Sequence, residues 1–509
     1  MQGQRITPET LNPKRNQAGT YPDKLPEKLQ VGVLRAGLIS CCLGGAILSS
    51  GITASMAQLP GQNIDKKLLT ESPSGSLSLA IQNLFEDETA LPLPARQERE
   101  ALRGYYIENN GKPLWVGTSR MKSLVKVMRE SEREGLQPSA YPIKTLERAL
   151  RVVHLGEPEA KAQVELYFSA FYLRFSRDLK IGRFLPSKID PKLYWQKKKL
   201  DTLTALKLVA KYEDFTKLIP ALQPQIREYA RLKQVLAAFR RIENAGGWPA
   251  LPIGSLEGGI VKPGEEHKLV PALRKRLKVT DQKLRKSTEI QDLIYDADLA
   301  DAVKRFQKMH GLEPDGVVGK RTLFALNISV TDRIRQIIVT MERWRWMPEN
   351  LGKNHILVNI AGYQLKRVSN NRVVDVMRVA VGKPYHQSPV FSDKIEYLEF
   401  NPYWNVPRSI ALKEELPKLK SNPAARAARG FEAVIGKRAV PLTAIDWSTV
   451  SPGNFKYRLR QKPGSNNALG RVKFMFPNRF NVYMHDTPSR GLFKKAQRAF
   501  SHGCIRLAR

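Results

Sequence analysis

The chain has 509 residues, too many for one ordinary core, and the usual ~100–200 residues per domain divide it into about three domains plus tails. With 42% hydrophobic and 26% charged residues the composition is globular, which excludes a chain that is disordered throughout. Lys and Arg number 84 against 48 Asp and Glu, a formal charge of +36 that attracts polyanions of any kind: nucleic acid, anionic lipid or an acidic polymer. Nucleic acid is set aside, because there is no basic helix with heptads, no paired zinc spacing and no aromatic RNA-binding signature, and the charge is spread along the chain.

In residues 1–57, Arg35 precedes an apolar, small-residue run from Ala36 to Ile52 that ends near Ser55-Met56-Ala57. That order reads as an export signal, with an uncleaved signal anchor as the alternative, so the bulk of the protein is expected outside the cytoplasm. Two of the three cysteines, Cys41 and Cys42, lie in this segment, and a cleaved chain keeps only Cys504. A single cysteine in an oxidising compartment serves no internal disulfide; it is either incidental or chemically used. Residues 58–75, rich in Ser, Gly, Pro and Lys, read as a linker.

Residues 76–245 read as a helical domain, with apolar spacings of three and four over Met121–Arg133, Leu146–Val153, Ala160–Asp178 and Tyr229–Ile242. Tyr106–Trp115 reads as a loop or short strand. Tyr167, Phe168, Phe171, Tyr172 and Phe175 are expected in the helix core rather than in a ligand site. After Gly and Pro breaks at 245–249 and 254–264, residues 262–328 read as a compact three-helix module. Its apolar faces are Leu269, Leu273 and Leu277, then Leu299, Val303, Phe306 and His310, then Leu323 and Leu326, with a tight turn at Asp315-Gly316. Through Phe306-Gln307, His310-Gly311-Leu312, Asp315 to Gly319 and Thr322 this module resembles the peptidoglycan-binding domain of bacterial wall enzymes. His310 is expected to be structural.

Past Asn350 the period becomes strand-like at Ile356–Ile360, Val373–Val381, Val472–Phe476 and Phe480–Met484. Between them, Leu412–Val434 is basic, Ala-rich and helical in character, an insertion expected over the sheet at about 408–450. Residues 472–484 read as a hairpin turning at Pro477-Asn478-Arg479. Alternation then puts Asn481, Tyr483 and His485 on the face opposite Phe480, Val482 and Met484.

Ser501-His502-Gly503-Cys504-Ile505-Arg506 brings a thiol to that neighbourhood. A thiol attacks well only when deprotonated, and an imidazole or a positive field supplies that condition. Gly503 admits close backbone approach, and amides around Gly503 and Cys504 are candidates for an oxyanion hole. Two blander readings compete: Cys504 as a small buried apolar residue, and zinc held by His485, Asp486, His502 and Cys504, for which paired spacing is absent. No metal and no cofactor are expected.

His485-Asp486-Thr487, a short basic stretch and then Ser501 to Arg506 are similar to the signature of L,D-transpeptidases with the YkuD-type catalytic domain. Asn401 to Pro407, Arg458 to Gly464, Asn467 to Gly470 and Val482 to His485 resemble the large periplasmic branch of that family. The resemblance implies a multidomain α+β protein. Its expected parts are a helical scaffold domain, a small three-helix peptidoglycan-binding domain and a β-rich YkuD-type catalytic domain (353–509) with a helical capping insertion. It implies Cys504 as nucleophile and His485 as base, with Ser501, His502, Gly503 and Arg506 shaping the site or its oxyanion hole. Tyr483 and Trp404 match substrate-pocket positions.

It also implies an acyl transfer on peptidoglycan stem peptides, in which a diaminopimelate to D-alanine bond gives a thioester that an amine of a second stem resolves as a 3→3 cross-link. Penicillins generally fail against such enzymes, whereas carbapenems acylate the cysteine. The acceptor stays open among a second stem, a lipoprotein, a D-amino acid and water. Expected partners are stem peptides and glycan, with the anionic membrane surface a further one through basic charge; the expected compartment is the periplasm. The family continues past the cysteine motif with a helix and a strand, whereas this sequence stops at Arg509. An impaired wall-binding protein is therefore the alternative reading.

Overall fold

The computed structural model describes residues 74–509 except 192, 196–197, 253, 255, 257–258 and 288–292. The expected export segment at 1–57 and nearly all of the 58–75 linker lie outside the described residues. Among those described, no helix is long and apolar enough to cross a membrane.

The first domain is built around the helix Pro158–Lys180, whose Tyr167, Phe168, Phe171, Tyr172 and Phe175 are all buried in one apolar core. Those rings are core, as their spacing predicts. The helix carries one buried carboxylate, Glu165, which accepts hydrogen bonds from the Leu114, Trp115 and Val116 amides and the Tyr106 hydroxyl. Burial raises its pKa, and the four donors oppose that rise while fixing the turn at 114–116. Tyr106 itself closes a helix, Arg99–Glu108, rather than opening a loop or strand, because Leu102, Tyr105 and Tyr106 fall on its buried side.

Two helices, Arg227–Asn244 and Val330–Trp346, pack into a stem with its own apolar core. At its lower end, buried Arg345 donates to the Glu342 carboxylate, the Tyr229 hydroxyl and the Glu134 carbonyl. Glu342 also accepts from the Arg183 and Phe184 amides, so one charged network ties the first domain to the stem. Charges buried this deeply must be paired, and removing one partner strands the other.

The stem's tip carries the small module. Helices Val270–Lys278, Ala297–Met309 and Lys320–Asn327 enclose its core, and β1 (Ile260–Val261) pairs antiparallel with β2 (Val318–Gly319). Gln307 braces the turn, donating to Asp315 and the Val317 carbonyl and accepting from the Gly316 amide. The His310 ring lies 4.2 Å from the Phe306 ring, and burial holds its pKa down at about 4.

The last domain holds two sheets. Strands β3 (His355–Asn359), β4 (Gln364–Ser369), β5 (Arg372–Gly382), β6 (Tyr397–Phe400), β11 (Val472–Met475), β12 (Met484–His485) and β14 (Ile505–Leu507) run in the order β3-β4-β5-β14-β12-β11-β6, with β13 (Ala499–Ser501) against β5. A second, four-stranded sheet lies in the insertion: β7 (Trp404–Asn405), β10 (Arg458–Gln461), β8 (Phe431–Ile435) and β9 (Arg438–Val440). The insertion is therefore helical only in its first part. Gly430, at φ +82°, ends the helical stretch and Phe431 starts a strand in its place.

The expected strand at Phe480–Met484 is also shorter than its pattern suggests, since only Met484–His485 is a strand. Asn481 has φ +53°, and the Asn478 amide spans the loop from the Phe476 carbonyl to the Val482 carbonyl. A side-chain bridge of this kind offers the backbone an alternative to a ladder.

Candidate active site

β12 and β14 run parallel, with Met484 opposite Ile505 and His485 opposite Arg506. Strand alternation turns Met484, Ile505 and Leu507 into the apolar core between the sheet and its cover. The same alternation turns Tyr483, His485, Cys504 and Arg506 to the other face. The Ile505 amide extends the ladder to the Tyr483 carbonyl at 3.0 Å, which sets Tyr483 beside Cys504. The structure thus brings Cys504, His485, Tyr483 and Arg506 together.

His485 is 4% exposed, and its Nδ1 hydrogen-bonds the Asp486 backbone carbonyl. A carbonyl accepts only, so Nδ1 carries the proton and Nε2 is left as the basic nitrogen. Burial and then the Arg506 charge lower the imidazole pKa to about 4, so the ring is neutral at pH 7 and able to take a proton. Burial raises the Cys504 pKa; the Tyr483 amide and hydroxyl, then Arg506 and Lys473, all pull it back. Burial likewise raises the Tyr483 phenol, which keeps it a donor toward the sulfur.

The loop before the nucleophile is held by two serines. The Ser501 hydroxyl accepts from the Gly503 amide at 3.1 Å and donates to the Cys504 carbonyl at 2.6 Å. From the loop after β5, the Ser388 hydroxyl accepts from the Gly382 amide and donates to the Gly503 carbonyl at 2.6 Å. Gly503 has φ +121°, and a Cβ there would sit 3.3 Å from Val482, so glycine is required by conformation. Its amide is engaged by Ser501, which takes it out of the candidate oxyanion hole.

Below the base, Asp486 accepts from the Arg471 amide and from Arg490. Gly470 lies so close that a Cβ would meet the Asp486 carboxylate at 2.3 Å. Asn467, 1% exposed, donates to the Pro402 and Lys462 carbonyls and fastens the base of the insertion.

His502 faces the insertion: its Nε2 lies 2.6 Å from the Glu414 carboxylate, and its ring is 4.8 Å from that of His386. Burial lowers its pKa, against the pull of Glu414. Trp404 stands on β7 with its ring edge-on to Phe431 at 5.9 Å, packed on the insertion's core. Among the described residues no group of three or more His, Cys, Asp or Glu is placed to hold a metal.

Sequence reasoning missed Ser388, Glu414, Glu399 and Lys473. Only Lys473 left a signal, as a lone charge inside the apolar run Val472 to Phe476.

Comparisons with known proteins match residues 353–509 to "L,D-transpeptidase catalytic domain", of the YkuD family. Over this part the chain is similar to the L,D-transpeptidase catalytic domain. Residues 266–326 match "Putative peptidoglycan binding domain" and residues 100–236 match "Scaffold domain". A Haemophilus influenzae protein described as "Putative L,D-transpeptidase" is 33% identical over 174 residues, 34% of this chain and 35% of that protein. The chain thus spans about a third of the length of that curated relative. A solved L,D-transpeptidase fragment from Xylanimonas cellulosilytica is 19% identical, covering 49% of this chain and 87% of the other, with a TM-score of 0.14. The region matched to the L,D-transpeptidase catalytic domain contains every residue of the reactive face.

Proposed function

We propose that the chain is a peptidoglycan L,D-transpeptidase that works through a Cys504 thioester. The observation that carries the reading is the shared face of β12 and β14, where a neutral, oriented His485 stands on the same face as a thiol whose neighbour in the ladder is Tyr483. His485 Nε2 takes the Cys504 proton as sulfur attacks the diaminopimelate carbonyl of a stem peptide. The amide of Cys504 faces the developing oxyanion, a contribution worth several kcal/mol in comparable sites. The carbon–nitrogen bond to D-alanine then breaks, His485 returns its proton to the departing amine, and a thioester remains.

An amine of a second stem next loses a proton to His485 and attacks the thioester. The carbon–sulfur bond breaks, the thiol is restored and a 3→3 cross-link results. Arg506, whose buried Nε has no hydrogen-bond partner among the described residues, offers a donor to a stem carboxylate. Such a substrate places the enzyme in the periplasm, reached through the N-terminal export segment, where its +36 charge favours anionic surfaces.

Intact mass after incubation with a carbapenem tests this. The wild-type chain gains one stoichiometric adduct, Cys504→Ala gains none, and His485→Ala gains it at least a hundredfold more slowly, within the usual range for a general base. Muropeptide analysis then reads the product. A folded wild-type chain without an adduct would move the assignment to a wall-binding protein without catalysis.

A further inference from the structure

The sheet register sets four ionisable side chains in one row across the reactive face. Glu399 on β6 is opposite Lys473 on β11, Lys473 is opposite His485 on β12, and His485 is opposite Arg506 on β14. Three of the four have a place in the reading above or neutralise a neighbour; Lys473 lies outside the cysteine motif.

Its side chain is 14% exposed, its Nζ is 3.2 Å from the Glu399 carboxylate, and it stands 4.5 Å over the centre of the Tyr483 ring. Tyr483 is the residue whose amide and hydroxyl meet the Cys504 sulfur. An ammonium over a phenol ring is attracted by the ring's negative face and draws electron density from it, which makes the hydroxyl a stronger donor. In a site this shielded from water, its charge also acts on the sulfur with little screening.

We propose that Lys473 is a positioning residue for the nucleophile: clamped by Glu399, it locks the Tyr483 phenol against Cys504 and supplies a positive field that favours the thiolate. The inference rests on the reading of Cys504 as the nucleophile. Its counterpart is Glu399, which holds the ammonium at the ring instead of letting it turn to solvent. The other ionisable groups around the thiol are His485 on β12 and Arg506 on β14. Across the mouth are His502 on the nucleophile loop with His386 stacked on it, and Glu414 from the insertion. Of these, His485 also meets the Tyr483 ring, edge-on with centroids 5.7 Å apart. A lysine kept only for its ion pair would contribute little, because solvent screens a partly exposed pair. Its aliphatic stem would then be replaced well by methionine.

Alkylation of Cys504 by iodoacetamide in the full chain with Cys41→Ser and Cys42→Ser, followed by intact mass from pH 5.5 to 9.5, tests the proposal. Lys473→Met is expected to move the midpoint of the rate profile upward by about one unit, a roughly tenfold loss of rate at pH 7. Lys473→Arg restores most of it, since guanidinium also lies well on an aromatic face. In a Tyr483→Phe background the further change to methionine has a much smaller effect, because the phenol is the intermediary. An unmoved midpoint in Lys473→Met, or a Lys473→Arg variant as slow as Lys473→Met, overturns the inference. Alkylation needs no wall substrate. A shifted profile in a chain that forms no carbapenem adduct therefore supports this inference while sinking the transpeptidase reading. An adduct in wild type with an unmoved Lys473→Met profile sinks this inference alone.

Discussion

His485 has a pKa of about 4 in the fold and an ordinary one near 6.5 when unfolded. Above pH 6.5 the imidazole is neutral in both states and the shift has no effect on stability. Between pH 6.5 and about 4 the unfolded chain binds a proton that the fold refuses, so stability falls by about 1.4 kcal/mol per pH unit and stops falling below that window. His485→Gln removes this dependence, and thermal melts from pH 7 to 4.5 are expected to show a shallower decline in the variant than in wild type. Since the base stays neutral down to about pH 5, carbapenem acylation should keep its base over the same range, limited instead by the raised thiol. That Cys504 and His485 stand on one face was legible because each sits in a short local motif. The Glu399 and Lys473 partnership was not, because only strand register aligns residues from β6 and β11.

Individual elements show how local chemistry overrides a pattern. Phe480 to Met484 alternates like a strand, yet Asn478 bridges the loop and Asn481 turns it, so the predicted hairpin survives only as β11 against β12. The insertion's basic, Ala-rich run gave its helices, but Phe431 to Val434 reads as apolar in either period and went to β8. Ser388 had no sequence signal at all, because its value lies in joining the end of β5 to the Gly503 carbonyl far along the chain. Ser388→Ala leaves the Gly382 amide and the Gly503 carbonyl without their partner, a cost of about 1–3 kcal/mol. A lower melting temperature together with a slower carbapenem adduct is the expected result, and an unchanged adduct rate would show that the loop is held without this strut.

At the scale of the molecule, the module is spliced into the stem at one point. The Trp248 indole donates to the Ile328 carbonyl at 3.1 Å, and a Cβ on Gly247 would meet Val330 at 3.0 Å, so the chain leaves and returns side by side. Replacing residues 249–328 by a short linker is therefore expected to leave carbapenem acylation intact while co-sedimentation with purified wall falls. Unchanged co-sedimentation would reject the module as the wall-binding part. The helical and β-rich domains were legible from their periods, whereas the stem was not, since its two helices are separated in sequence by the module they support.

The strand order gives the nucleophile's own strand an unusual place. β14 stands between β5 and β12, joining one meander of β3, β4 and β5 to another of β12, β11 and β6. It is also the last of the described strands to leave a ribosome, and domains fold as the chain emerges. The strands β3 to β5, and β6, β11 and β12 with the insertion between β6 and β11, can exist before it, but the reactive face cannot. Proteolytic trimming inside Ile505–Leu507 would unlink the halves as surely as removing the thiol, so the reactive face and the join of this sheet depend on the same three residues.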